Sequence, residues 1–289
     1  MLRRLTKLLG ASSIADPTES SPQRKNGLSF GGAVVLVTGA GSGIGQTCAV
    51  QFALHGCTKL FLVDLNRSKL EQTKARIQKE DVYPQIELLE ANVTSEASMK
   101  AMVQQCVKTF GRLDIACNNA GIGGPPARTH EVSVKDYDMV CAVNERGTII
   151  CEKYEIEQML CQEIGFGGQR GVIVNTSSIA GHCIIPTTAP YGASKHAVNA
   201  LTRCDALRHA KDAIRVNCIS PGAVWTPMVS EAGLPQQFID MGAAQSPLKR
   251  YVTAEEAAYA ILYLASPQAS ALSGVNLPVD CATMLLRSL

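Results

Sequence analysis

Between the apolar run Val34-Val35-Leu36-Val37 and a segment of helical period stands Thr38-Gly39-Ala40-Gly41-Ser42-Gly43-Ile44-Gly45. A strand that turns at once into a helix needs residues without a Cβ where backbones approach closely. This motif therefore reads as the first βα turn of an α/β domain. Such a turn leaves the first N–H groups of its helix facing outward at the positive end of the helix dipole, where the pyrophosphate of a dinucleotide is held. The spacing is Gly-x-x-x-Gly-x-Gly, not the usual Gly-x-Gly-x-x-Gly. Glycines also serve plain strand-to-helix turns, so this one constrains the fold more than the ligand.

From Gly31 onward, short β-branched runs alternate with longer segments of helical period, the sign of βαβ units and a parallel sheet. Strands are predicted at Ala33–Val37, Lys59–Val63, Ile86–Ala91, Leu113–Cys117, Gly171–Thr176, Ile214–Ile219 and Val275–Val279. Continuous apolar runs such as Val172-Ile173-Val174 fit a sheet covered on both faces. Ser95 is placed to cap a helix through Phe110, and Glu255–Ala265 reads as an amphipathic helix beyond a Thr253 N-cap. The expected fold is α/β: one Rossmann-type doubly wound domain over residues 30–289, with a seven-stranded parallel sheet. It follows a flexible tail over residues 1–29. Residues Thr226 to Ser246, with Pro227, Gly233 and Pro235, break the alternation and suit either a lid or a surface excursion.

Composition narrows the function classes. A chain of 289 residues with 46% hydrophobic content buries a sizeable core. Twenty-seven basic against 25 acidic residues, without a dense basic block, argue against a nucleic-acid surface. Eleven cysteines without a Cys-x-x-Cys pair fit reduced thiols better than disulfides or a zinc site, so no metal is expected. No apolar run reaches the roughly 18 to 20 residues of a membrane helix, so a soluble, cytoplasmic protein is expected. Met1–Gly10, with Arg3, Arg4 and Lys7 among four leucines, suits a frayed basic tail and, as a minority reading, an organelle presequence.

Two further features carry chemistry. Asp64 ends the second strand about 20 residues after the glycine turn, where a carboxylate accepts hydrogen bonds from ribose hydroxyls and repels a 2′-phosphate. This favours NAD. The plainer role for Asp64 is to cap the helix starting near Asn66, and Arg67 is placed to offset its charge, which leaves NADP open. Tyr191 and Lys195 stand four residues apart on one predicted helix and share a face. A cation near the phenol, together with a positive nicotinamide ring, favours the phenolate and gives a base usable near neutrality.

Together these motifs resemble the short-chain dehydrogenase/reductase family over about Gly32 to Asp280. The resemblance runs through Thr38-Gly39-x-x-x-Gly43-Ile44-Gly45, Asn118-Asn119-Ala120-Gly121, Asn144, Ser177-Ser178, Tyr191-x-x-x-Lys195 and Pro221-Gly222. It implies Tyr191 as acid/base, Lys195 on the nicotinamide ribose, Ser178 on the substrate oxygen, and Asn144 positioning a water for proton relay. Ser177 would be a strand-end hydroxyl bonded to backbone. Cofactor contacts are implied for Gly39, Ser42, Gly43, Ile44, Gly45, Asn119, Ala120 and Gly121. They are implied also for Pro221, Gly222, Val224 and Thr226, and for Asn92-Val93, where the family pair is usually Asp-Val. At the C-terminal end, Asp280-Cys281-Ala282 replaces the family's Asp-Gly-Gly, which puts that turn in doubt.

The resemblance implies hydride transfer between a nicotinamide cofactor and a secondary alcohol or ketone. Ile122, Gly123, Gly124, Pro125, His182, Ile184, Ile185, Pro186, Trp225 and Met228 form a largely apolar set that suits an alicyclic, aromatic or lipid-like substrate, in secondary-metabolite chemistry. His182 reads as a partly exposed loop residue or a contact to a polar substrate group. Two rival readings are an NADPH-dependent ketoreductase and a non-catalytic dinucleotide-binding scaffold or redox sensor. A homodimer or homotetramer is implied, paired through the segments 144–163 and 191–211.

Overall fold

The computed structural model describes residues 27–125, 127–183, 189–230, 240, 243–244 and 246–287. Seven parallel strands form one sheet in the order β3-β2-β1-β4-β5-β6-β7. They are β1 Val34–Thr38, β2 Lys59–Asp64, β3 Gln85–Glu90, β4 Ile115–Asn118, β5 Gly171–Thr176, β6 Ile214–Pro221 and β7 Asn276–Val279. The strand order reverses between β1 and β4, and in such sheets the crevice beyond the strand ends at that point is the ligand site.

The helices are α1 Gly43–Leu54, α2 Arg67–Gln78, α3 Glu96–Phe110, α4 Val134–Cys141, α5 Gly147–Leu160, α6 Ala189–His209 and α7 Ala254–Ala265. Side chains alternate across the strands, and both faces are filled. Val35, Val37, Leu60 and Leu62 pack with Phe52 of α1 and Ile261 of α7 on one side. Leu36, Phe61, Ile173 and Val216 pack with Met99 of α3 and Ile150 of α5 on the other. Burial on both faces explains why β1 reads as an unbroken apolar run.

The caps follow the sequence closely. Ser95 accepts from the Ser98 N–H at the start of α3, and Thr253 and Glu256 form a reciprocal capping box at the start of α7. Strand ends differ by a residue or two. β6 runs on to Pro221 because Ser220 and Pro221 still have Pro278 and Val279 beside them on β7. β4 begins two residues later than expected, at Ile115, and reaches Asn118, opposite Asn175.

Phe30 is fully buried against Phe52, with ring centroids 4.7 Å apart, so the core takes in residues at the very start of the expected domain. The tail and presequence expectations for residues 1–26 lie outside the described residues, as do Ile184, Ile185, Pro186 and most of the expected lid. Its first residues form a one-turn helix, Pro227–Ser230. No helix among the described residues is long and apolar enough to cross a membrane.

Candidate active site

The turn after β1 carries Gly39 and Gly43 at φ 64° and 53°, conformations that favour glycine. A Cβ on Gly39 would stand 2.9 Å from the Cα of Ala120, and one on Gly45 would collide with the Gly39 carbonyl. The Ser42 hydroxyl makes no capping bond at the start of α1, which leaves Ser42, Gly43 and Ile44 with the outward backbone donors of a phosphate cradle. Across the crevice stands Thr226: a Cβ on Gly43 would meet its side chain at 3.3 Å.

Asp64 does not cap the next helix. Its Oδ2 accepts from the Gly41 N–H at 2.9 Å and its Oδ1 from the Asn66 N–H at 3.0 Å, while Asn66 caps α2 by accepting from Lys69 N–H. The carboxylate is thereby bound to the glycine turn itself. Arg67 is committed elsewhere, donating to the Leu88 carbonyl at 2.6 Å and pairing with Glu71 at 2.9 Å. Asn92 is exposed and accepts from the Thr94 N–H at 3.0 Å, and Val93 is buried beside it.

Asn119 and Ala120 are held by a residue to which the sequence reading gave no role. Thr38 Oγ1 accepts from both of their N–H groups, at 3.1 and 3.3 Å. Thr176, also missed, donates its hydroxyl to Asn119 Oδ1 at 3.2 Å, and its carbonyl accepts from Lys195 Nζ at 2.8 Å. Both threonines end strands next to recognised motifs, and that position was the available signal. Gly121 lies where a Cβ would come within 3.5 Å of Lys195 Nζ.

The four residues expected to act together converge beyond β4 and β5. Ser178 starts a short turn, accepts from the Ala180 N–H at 3.1 Å and hydrogen-bonds the Tyr191 phenol. Ser177 donates to the Lys195 carbonyl, a backbone bond that leaves Ser178 as the serine facing Tyr191. Asn144 sits in a π-helical turn, Ala142–Arg146, between α4 and α5. Its side chain accepts from the Ile122 N–H at 2.8 Å and donates to Ser194 Oγ at 3.2 Å, tying the loop after β4 to α6.

The chain by itself does not favour the phenolate: burial raises the Tyr191 pKa, and the hydrogen bond from Ser178 only opposes that. Lys195 lies 5.6 Å from the Tyr191 ring centroid with its ammonium turned to the Thr176 carbonyl, and burial lowers its own pKa to about 8.

Gly222 donates its N–H to the Val279 carbonyl, and Val224 bridges to Val252, which fixes the strand-like stretch leading to Thr226. His182 is half-buried, hydrogen-bonded to Ser220 at 2.9 Å, and burial lowers its pKa. Trp225 packs on Tyr251 with centroids 5.3 Å apart. It also lines a cavity of about 460 Å³ outside the glycine turn, together with Ser42, Gln46, Lys69, Arg76 and Glu255. That cavity touches the cofactor turn but none of Asn144, Ser178, Tyr191 and Lys195. No cluster of three or more metal-ligating side chains occurs among the described residues.

Comparison with known proteins agrees with this geometry. A family model described as enoyl-(acyl carrier protein) reductase matches residues 39–282. Levodione reductase of Leifsonia aquatica is 36% identical over 255 residues, covering 86% of this chain and 92% of that protein. A crystal structure of levodione reductase, 34% identical, superposes with a TM-score of 0.82 over 89% of this chain and 99% of that one. The short-chain dehydrogenase anuF of Penicillium roqueforti is 36% identical over 265 residues, covering 87% and 96%. Carveol dehydrogenase of Mycobacterium avium, in complex with NAD, is 27% identical with a TM-score of 0.81, covering 90% and 100%. A doubly wound sheet, a glycine turn at its switch point and a Ser-Tyr-Lys set beyond β5, matched over this length, establish that the chain belongs to the short-chain dehydrogenase/reductase family, whose members are NAD(P)-dependent oxidoreductases.

Proposed function

We propose that the protein interconverts a secondary alcohol and a ketone on a small, largely apolar metabolite, with NAD as its dinucleotide. The observation that carries this reading is the meeting of the Ser178 hydroxyl with the Tyr191 phenol, beside Lys195 and beyond a glycine turn held by Asp64. The cradle fits a dinucleotide because Ser42 leaves the first N–H groups of α1 without a side-chain cap at the end of the glycine turn. Gly43 and Ile44 would hold the pyrophosphate, Asp64 the adenosine ribose, Asn92 and Val93 the adenine. Asn119, Ala120 and Gly121 would line the adenine side, and Pro221, Gly222, Val224 and Thr226 the nicotinamide.

The bound nicotinamide supplies the hydride acceptor. In oxidation Tyr191 Oη takes the hydroxyl proton of the alcohol, and Ser178 Oγ steadies the charge that grows on the substrate oxygen. Asn144 would position a water through which Tyr191 exchanges its proton with solvent. Lys195 would bind the nicotinamide ribose. Burial raises the Tyr191 pKa in the chain alone, so the phenolate would form with a positive nicotinamide ring bound beside Lys195.

The NAD preference rests on Asp64 together with the commitment of Arg67 to Leu88 and Glu71. An NADPH-dependent ketoreductase is the second reading, favoured by Lys69 and Arg76 on the cavity outside the glycine turn. Titration with NADH and NADPH by nicotinamide fluorescence decides between them. Tighter NADPH binding would reverse the assignment.

A homodimer or homotetramer in a reducing, cytoplasmic setting completes the reading. The reducing setting is supported by eleven free cysteines. The test of the catalytic reading is Tyr191→Phe, assayed against a panel of alicyclic alcohols and ketones. Turnover should fall at least about 100-fold, the range of a lost acid/base group, with NADH affinity kept. Near-normal turnover would overturn it.

A further inference from the structure

Directly beneath the site a buried polar chain crosses the sheet. Asn118 at the end of β4 donates through Nδ2 to Glu155 Oε2 at 2.9 Å and to Asn175 Oδ1 at 3.2 Å. Asn175 on β5 donates in turn to Glu152 Oε1 at 2.8 Å and to Thr202 Oγ1 of α6 at 2.9 Å. Glu152 and Glu155 lie one turn apart on α5 and are 2% and 0% exposed. The network thus joins α5, β4, β5 and α6 one residue before Asn119, which follows β4, and one residue before Thr176, which ends β5. Among the described residues, no Lys, Arg or His acts on either carboxyl. The titratable groups that face the two carboxyls are Asp205 of α6, Cys106 of α3, Cys117 of β4 and Cys151 of α5.

A buried pair of acids without a counter-charge is costly, and a chain that needed only a core would place apolar residues there. These carboxyls accept from two amides whose neighbours in sequence reach the cofactor cradle and the lysine. We propose that Glu155 and Glu152 are positioning residues, which set the ends of β4 and β5 through Asn118 and Asn175 so that Asn119 and Thr176 meet the cofactor and Lys195 in register. This rests on the dinucleotide reading of the site and not on the identity of the substrate. Burial raises the Glu152 pKa to about 8 and the Glu155 pKa to about 7. The pair is therefore largely neutral below that window and becomes two repelling charges above it.

The experiment is NADH titration, followed by nicotinamide fluorescence, of the wild type and Glu155→Gln between about pH 6 and about pH 9, the window that spans both groups. Gln keeps an acceptor for the Asn118 amide and cannot ionise. Any effect of Lys195 is common to both proteins. Wild-type affinity is expected to fall about tenfold more than that of Glu155→Gln across this range, the size of a coupling between neighbouring groups. A parallel fall in the two proteins, repeated with Glu152→Gln/Glu155→Gln in place of the single variant, overturns the proposal. Absence of NADH binding in the wild type at every pH overturns the dinucleotide reading as well.

Glu155→Leu removes the acceptor. At about pH 6.5 it should bind NADH about tenfold more weakly than Glu155→Gln. Equal affinity of the two folded variants also overturns the proposal, and should Glu155→Leu not fold, the paired pH titration stands alone.

Discussion

Asp64 spends both carboxylate oxygens on the backbone, one on the Gly41 N–H and one on the Asn66 N–H. Its spacing from the glycine turn was visible in the sequence. Its grip on Gly41 was not, because that contact joins residues 23 apart through the pairing of β1 with β2. Removing the charge loosens the turn and lifts the repulsion of a 2′-phosphate together. Asp64→Ser should weaken NADH binding about tenfold, the worth of a charge-assisted hydrogen bond, and narrow the gap to NADPH. Parallel fluorescence titrations check this.

The buried acids give a second result at this scale. Their folded pKa values stand above the ordinary 4.5, so the stability they contribute is present in full below about pH 4.5 and is lost as pH rises through about 7 to 8. The midpoint of thermal unfolding should fall across that window in the wild type and fall less in Glu152→Gln/Glu155→Gln. Nothing in the sequence marked these two residues, because burial of a helix position depends on what packs over it.

Helix ends were legible wherever a short side chain made the cap. Ser95 and Thr253 both accept from the N–H three residues on, as their spacing to the following segments implied. Thr253→Ala should cost about 1 kcal/mol, read from chemical denaturation. The C-terminal turn was the doubtful element, since Cys281 and Ala282 stand where the family has glycines. The turn is made nonetheless, with Cys281 at φ 52° and Ala282 at φ 64°. It is held by Asp280, whose carboxylate accepts from the Ala282 and Met284 N–H groups. Left-handed backbone is strained in residues with a Cβ, so Cys281→Gly should stabilise the protein by about 1 kcal/mol. An unchanged or lower denaturation midpoint would contradict the strain.

For the whole molecule, α4, α5 and α6 carry exposed Val134, Tyr137, Met139, Ile149, Leu160 and Leu207. That much apolar surface on adjacent helices suits pairing with a second copy. Mass measurement at micromolar protein should give a dimer or tetramer, and Ile149→Lys should shift it towards monomer. The order of strands and helices, the glycine turn and the spacing of Ser178, Tyr191 and Lys195 followed from local sequence, because period, propensity and turn chemistry act over a few residues. Only the folded chain decided that Lys195 turns to Thr176, that Arg67 is spent on Glu71 and Leu88, and that two acids lie beneath Asn118 and Asn175. Those outcomes depend on which distant strands and helices become neighbours, and on how burial reprices a charge once they do.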